Sequence, residues 1–114
     1  MKLESGNLLA NLPARQSEEH LDALVASGGV TIERIVSQGH ASPEGFWYDQ
    51  PRDEWVVLIS GEALLRFEGE APRRLVPGDW VLIPAHAKHR VDWTLETGPT
   101  IWLAVHFGGL ESRL

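Results

Sequence analysis

The stretch EWVVLISGEALLRFEGEAPRRLVPGDWVLIPAHAKHRVDW, residues 54–93, decides the fold. Trp55 to Ser60 is a continuous apolar run, and Glu62 to Glu68 alternates apolar with polar side chains, with Gly61 between the two. Arg73 to Val76 is a short run, Pro77-Gly78-Asp79 has turn composition, and Trp80 to Ile83 follows until Pro84 stops it. Proline suits the second position of a turn, and glycine the third, where φ is positive. His89 to Thr94 alternates again. Short runs of period two, divided by Gly and Pro at close spacing, predict an all-β sandwich or closed barrel.

The same pattern extends outward. Gly98-Pro99 is a turn and Thr100 to Phe107 is a last strand. Leu8 to Leu12 is a short apolar N-terminal arm. Glu19 to Ala26 fits two elements. Leu21, Leu24 and Val25 have helical spacing with Ser17 as a cap, whereas Ser27-Gly28-Gly29 is a hairpin signal followed by the β-branched run Val30 to Ser37. The hairpin is the preferred reading. No long amphipathic helix is available to cross between parallel strands, which disfavours an α/β fold. The expectation is one domain over residues 1–114, with residues 1–29 as N-terminal arm and hairpin.

Composition narrows the function. The net charge is −6 and no Lys/Arg-rich run exists to neutralise phosphates, so nucleic acid is not an expected partner. Cysteine is absent, which removes disulfides and thiolate ligands. The N-terminus is too polar for a signal peptide and no stretch approaches a membrane span, so a cytoplasmic protein with no membrane partner is expected. The five tryptophans suit either a lined cavity or a filled core.

Strand periodicity assigns faces. With Glu54 inward, Val56 and Leu58 follow it, and Ala63, Leu65 and Phe67 form an apolar set across Gly61. His89, Val91 and Trp93 share one face, so the expected interior holds Val56, Leu58, Leu65, Phe67, Val91 and Trp93. Two polar side chains, Glu54 and His89, fall on that apolar side. Thr100 to Phe107 is apolar on both faces, and one barrel interior covers only one. A homodimer is therefore expected, with coverage by the N-terminal arm as the alternative.

These residues resemble the motifs of the cupin superfamily, in particular its small single-domain members. The first motif ends in Glu, six residues and Gly, matched by Glu54 and Gly61. The second runs from Gly through Pro to His, matched by Gly78, Pro84 and His89. The resemblance spans Gln50 to Trp93 and implies a double-stranded β-helix, or jelly-roll, barrel with its site inside. The departures are equally specific. The two motif-one histidines are absent, His86 replaces the glycine before the motif-two histidine, and Trp93 replaces the closing Asn. Transferred position by position, the resemblance leaves Glu54 and His89, with Gln50 where a histidine would stand.

Glu, neutral His and an amide oxygen can all ligate a divalent ion such as Zn, Fe or Mn, leaving positions for water or substrate. His86 and His106 are further candidate ligands, and Phe46, Trp47, Tyr48, Phe67 and Trp93 are candidate pocket walls. The competing reading has Glu54 and His89 hydrogen-bonded to each other without metal. The implied function is a small-molecule-binding cupin, with metal as a dioxygenase, isomerase or lyase, or without metal as a ligand-binding or sensing module. His20 and His40 are expected outside the site. No phosphate loop or nucleophile motif is present.

Overall fold

The computed structural model describes residues 2–108. Eight strands are formed: β1 His20–Ser27, β2 Val30–Ser37, β3 Asp53–Ser60, β4 Ala63–Phe67, β5 Arg73–Leu75, β6 Trp80–Ile83, β7 His89–Thr94 and β8 Thr100–Phe107. Neighbouring strands pair antiparallel throughout, in a five-stranded sheet ordered β1-β2-β8-β3-β6 and a three-stranded sheet ordered β5-β4-β7. This is the jelly-roll barrel that the strand pattern and its resemblance imply. The described residues contain no helix, and therefore none long and apolar enough to cross a membrane.

The ambiguous segment is a strand. Ser27 pairs with Val30, and Gly28 and Gly29 both have positive φ, at 59° and 79°. That is the requirement of a type I′ hairpin turn, which only glycine meets without strain. The N-terminal arm lies against this hairpin. Arg34 on β2 is buried and donates to the carbonyls of Leu8, Ala10 and Asn11 as well as to Asp22. Buried guanidinium donors need such partners, so the arm satisfies a charge as well as covering surface.

Two turns seat the site-bearing strands. Val76 to Asp79 is a type II turn with Gly78 at φ 95°, and it is fastened to β3 through Gly78 N to Leu58 O and Leu58 N to Asp79 O. The second turn, Pro84 to Ala87, closes with Ala87 N donating to Pro84 O at 3.1 Å. Its positive-φ position is His86, at 64°. The glycine of the family motif is thus replaced where glycine is conformationally favoured. Asp49 bonds the His86 ring at 2.7 Å and the Gln50 carbonyl accepts from the His86 N–H at 2.7 Å, which offsets the cost.

The core matches the face assignments except at one end. Val56, Leu58, Ala63 and Leu65 are buried together with Leu75, Ile83, Trp102 and Ala104, and Phe67 and Val91 pack against them. Trp93 does not join them. A bulge between Leu64 and Leu65 shifts the pairing, so that Val91 faces Leu65 but Trp93 pairs with Leu64. The extra residue reverses the alternation beyond Val91, and Thr94 takes the buried position.

Gly61, at φ 90°, separates β3 from β4 against the Thr100 backbone. A Cβ there would overlap Thr100, whose Cα would be only 2.6 Å away. Gly69 also has positive φ, at 80°, but open space around it. Gly69→Ala should cost about 1–2 kcal/mol from the left-handed backbone alone. Gly61→Ala should cost about 2–4 kcal/mol, because the collision adds to the same strain. Urea denaturation of the two variants checks the difference; equal losses would contradict the close approach.

Candidate functional site

The barrel encloses a cavity of about 200 Å³, open at one end. Its apolar wall comes from Ile35, Val56, Leu65, Ile83, Val91 and Trp102, and its polar groups are Glu19, Glu33, Tyr48, Gln50, Glu54, His89 and His106. Strand register accounts for the arrangement. Glu54 pairs with His106 across β3 and β8, Ile35 pairs with Trp102, and Glu33 pairs with Ala104 across β2 and β8. Paired residues point to the same side of a sheet, so these side chains face inward together.

The segment before β3 brings in the rest. Tyr48 bridges His89, with Tyr48 N donating to His89 O at 2.7 Å and His89 N to Tyr48 O at 3.1 Å. This short extended piece has the period of a strand, so Tyr48 and Gln50 enter the cavity while Trp47 and Asp49 turn away. The Tyr48 ring stacks on His89 at 5.3 Å between centroids. Trp47 lies under Arg66 at 5.1 Å, Phe46 is exposed beside the cavity mouth, and Phe67 packs 5.9 Å from the His89 ring. Of the expected aromatic walls, Tyr48 lines the cavity and Phe67 supports His89 from behind. Phe46, Trp47 and Trp93 are not among the cavity-lining residues.

Glu54 and His89 are both buried, with 7% and 4% of their surface exposed, and His89 Nε2 lies 3.8 Å from Glu54 Oε1. The separation exceeds a hydrogen bond. His89 Nδ1 donates to the Ala87 carbonyl at 2.8 Å, which places the proton of the neutral ring on Nδ1 and leaves Nε2 with a free lone pair. Burial holds the His89 pKa below the ordinary imidazole value, so the ring is neutral at pH 7. Burial also pushes the Glu54 carboxyl up to about 7, and the charges of Glu33 and Glu19 add to the effect. Burial, with Glu19 and Glu54 nearby, pushes the Tyr48 hydroxyl up to about 12.

Gln50 completes this group. Its Oε1 is buried without a hydrogen-bond partner, the one such side-chain atom among the described residues. A buried unsatisfied acceptor costs about 1–3 kcal/mol. Gln50 Oε1, His89 Nε2 and the Glu54 carboxylate are all lone-pair donors, and a divalent cation is a species that satisfies all three. The chemistry of the set therefore fits a metal ion. Among the described residues no three His, Cys, Asp or Glu side chains gather to hold a metal, so a third ligand would have to be the Gln50 amide.

The other two histidines considered as ligands are otherwise engaged. His106 lines the cavity, but its Nε2 lies 2.9 Å from Glu33 Oε1. Burial lowers the His106 pKa against the opposing pull of Glu33. His86 is half-exposed on the outside of its turn, paired with Asp49 at 2.7 Å, because the positive-φ backbone points its ring away. His40 ties loops together through Gln38 N and Gln16 O, and His20 pairs with Asp22. Glu33 and Glu19 are cavity residues that the motif comparison passes over. Glu33 shares a face with Ile35, and the pairing of Ile35 with Trp102 is what turns that face inward.

Comparison with known proteins bears on this architecture. The cupin domain family model matches residues 33–106. The chain is a cupin. A Ralstonia eutropha protein of known structure, provisionally named a mannose-6-phosphate isomerase, is 50% identical, with a TM-score of 0.91 over 94% of this chain and 100% of the other. A cupin superfamily protein from Desulfitobacterium hafniense is 24% identical, with a TM-score of 0.72 over 94% of each chain, and supports the fold alone. The DMSP lyase of Ruegeria pomeroyi is 25% identical, with a TM-score of 0.69 over 95% of this cupin and 56% of the lyase. Comparison with curated proteins gives no match.

The raised Glu54 pKa makes a stability prediction for metal-free protein. The folded value, about 7, lies above the ordinary 4.5, so the contribution is complete below about pH 4.5 and is lost as pH rises through 7. Glu54→Gln removes this loss. Relative to the unsubstituted cupin, the variant should gain about 2–3 kcal/mol between pH 5 and pH 8. Urea titrations in chelator at the two pH values measure it; a constant difference would refute the buried, ionising carboxyl.

Proposed function

We propose that this cupin binds a small molecule in its barrel and holds a divalent metal ion there through Glu54, His89 and Gln50. One observation carries the reading. Three buried lone-pair donors face one cavity, and one of them, Gln50 Oε1, has no partner. Zn, Fe and Mn suit a set of two oxygens and one nitrogen. Bound there, the ion supplies a Lewis acid with positions open to the small molecule. The residues around it supply the rest. Tyr48 and Phe67 fix the His89 ring, Ala87 O fixes its tautomer, and the apolar wall excludes water from the far side.

The similar lyase and the provisionally named isomerase lend this reading the reaction classes in which a cupin works on a small metabolite. Neither name transfers a substrate. The cupin's own cavity carries the choice of ligand, and its site of action is read as cytoplasmic.

Metal analysis of protein purified without an affinity tag tests the proposal. A near-stoichiometric divalent ion is expected. His89→Ala should lower occupancy at least about tenfold with the fold retained, and Gln50→Leu should lower it less, because water replaces a neutral amide oxygen. Occupancy should fall on acidification, since a protonated imidazole cannot coordinate. The Glu54 carboxyl, pushed up to about 7, is the first ligand to protonate, and His89, held below the ordinary imidazole value, follows at lower pH. Full occupancy in His89→Ala would refute the site. Absence of any metal, with small-molecule binding kept, would assign the cavity to a metal-free binding module.

A homodimer through the outer face of the five-stranded sheet belongs to the same reading. Trp55, Val57, Leu103 and Val105 share that face by register with Trp80 and Leu82, which are 61% and 51% exposed. The arm reaches Arg34 and the hairpin, not this end of the sheet. This apolar stretch of the face is best covered by its own copy. Light scattering at micromolar concentration should give twice the chain mass, and Trp80→Glu should return it to the monomer.

A further inference from the structure

We infer that the small molecule bound in this cavity is a compact organic cation, an ammonium or related group on an apolar body, and not a phosphorylated or otherwise anionic metabolite. The inference rests on the proposed site and names its ligand class. Three carboxylates, Glu19, Glu33 and Glu54, line the cavity, and no Lys or Arg is among the lining residues. Arg52 lies near His106, but its guanidinium donates to Thr31 Oγ1 at 3.2 Å and does not line the space.

The two carboxylates outside the metal set are held by neutral donors. Ser37 Oγ donates to Glu19 Oε2 at 2.9 Å, and His106 Nε2 lies 2.9 Å from Glu33 Oε1. Hydrogen bonds from neutral groups fix a carboxylate in place without cancelling its charge. Both anions are therefore preorganised, Glu33 against the apolar wall and Glu19 at the mouth. With Glu54, His89 and Gln50 assigned to a divalent ion, the full lining still sums to a negative charge. An anion entering this space meets repulsion and no donor fork, whereas a cation meets two positioned acceptors. Tyr48 and Trp102 add aromatic faces, which attract cations further.

Size points the same way. A cavity of about 150 Å³ accommodates benzene. The space here, about 200 Å³, accepts a body slightly larger. A hexose phosphate exceeds it in bulk and carries the opposing charge, so the substrate named for the Ralstonia eutropha protein is not the ligand expected here.

Cyclohexylammonium, cyclohexanol and cyclohexanecarboxylate share one ring and differ in charge, and they test the inference with mannose 6-phosphate as a fourth probe. Binding is followed by calorimetry and by tryptophan fluorescence, on metal-loaded and on chelator-treated protein. In chelator-treated protein the ammonium should bind at least about tenfold more tightly than the carboxylate. It should also bind more tightly than the alcohol in both forms, and mannose 6-phosphate should not bind. Glu33→Gln and Glu19→Gln, checked for fold by circular dichroism, should each narrow the ammonium preference about threefold or more. Carboxylate or phosphate binding as tight as the ammonium in chelator-treated protein would overturn the inference. So would an ammonium affinity unchanged in both variants. Because the charge preference is read without metal, failure of the metal proposal leaves this result interpretable, and the reverse holds.

Discussion

The structure turns on a carboxylate kept where water cannot reach it freely. Glu54 sits on β3 among apolar side chains, and the side chain facing it, His89, is an imidazole that burial keeps neutral. In the metal-free protein that placement opposes folding at neutral pH, as the raised pKa expresses. A chain selected for stability alone would place leucine there. The surrounding architecture holds the arrangement regardless. The Tyr48–His89 bridge, the type II turn ending at Asp79 and the turn through His86 each fasten one side of the cavity by backbone hydrogen bonds rather than by contacts to the polar groups. The backbone framework is thereby held without relying on the polar groups of the site, a common arrangement where an anchored ligand or ion completes them.

The sequence made the strands legible because the turns are chemically explicit. Gly28, Gly29, Gly61 and Gly78 occupy positive-φ positions that other residues adopt only at a cost, and each turn lies between apolar runs. Glu54 and His89 were legible for a related reason, as polar residues in phase with an apolar face. Trp93 was not, because period two is blind to a bulge. One extra residue on β7, Asp92 opposite the Leu64–Leu65 step, is indistinguishable in sequence from regular alternation, yet it moves Trp93 outward and Thr94 inward. His86 misled in a different way. It occupies a position where backbone conformation, not side-chain chemistry, sets direction, and a positive φ turns it toward Asp49 on the outside.

Glu19 and Glu33 show a further limit. Motif comparison addresses β3, β4, β6 and β7, whereas these acids belong to the N-terminal hairpin and its approach. Their entry into the cavity depends on β2 pairing with β8, a contact between residues some seventy positions apart, as in Thr31 opposite His106. No local pattern carries that register. It follows only once the inward set of β8, Trp102, Ala104 and His106, is matched to β2 across the sheet.

The hairpin does more than close a wall. Trp102 Nε1 donates to Ser37 Oγ at 3.2 Å, and Ser37 donates onward to Glu19 Oε2 at 2.9 Å. Indole nitrogen is a donor only, so the direction of this chain is set, and it ends on the carboxylate at the cavity mouth. Tyr48 bonds the same acid and stacks on His89. The mouth is thus mechanically joined to the floor through donors that all point toward Glu19. Moving Glu19 disturbs the Trp102 indole on one side and the Tyr48–His89 stack on the other. The family motif preserves the inner acid and base, while the N-terminal hairpin, which lies mostly outside it, sets the charge that an entering molecule first meets.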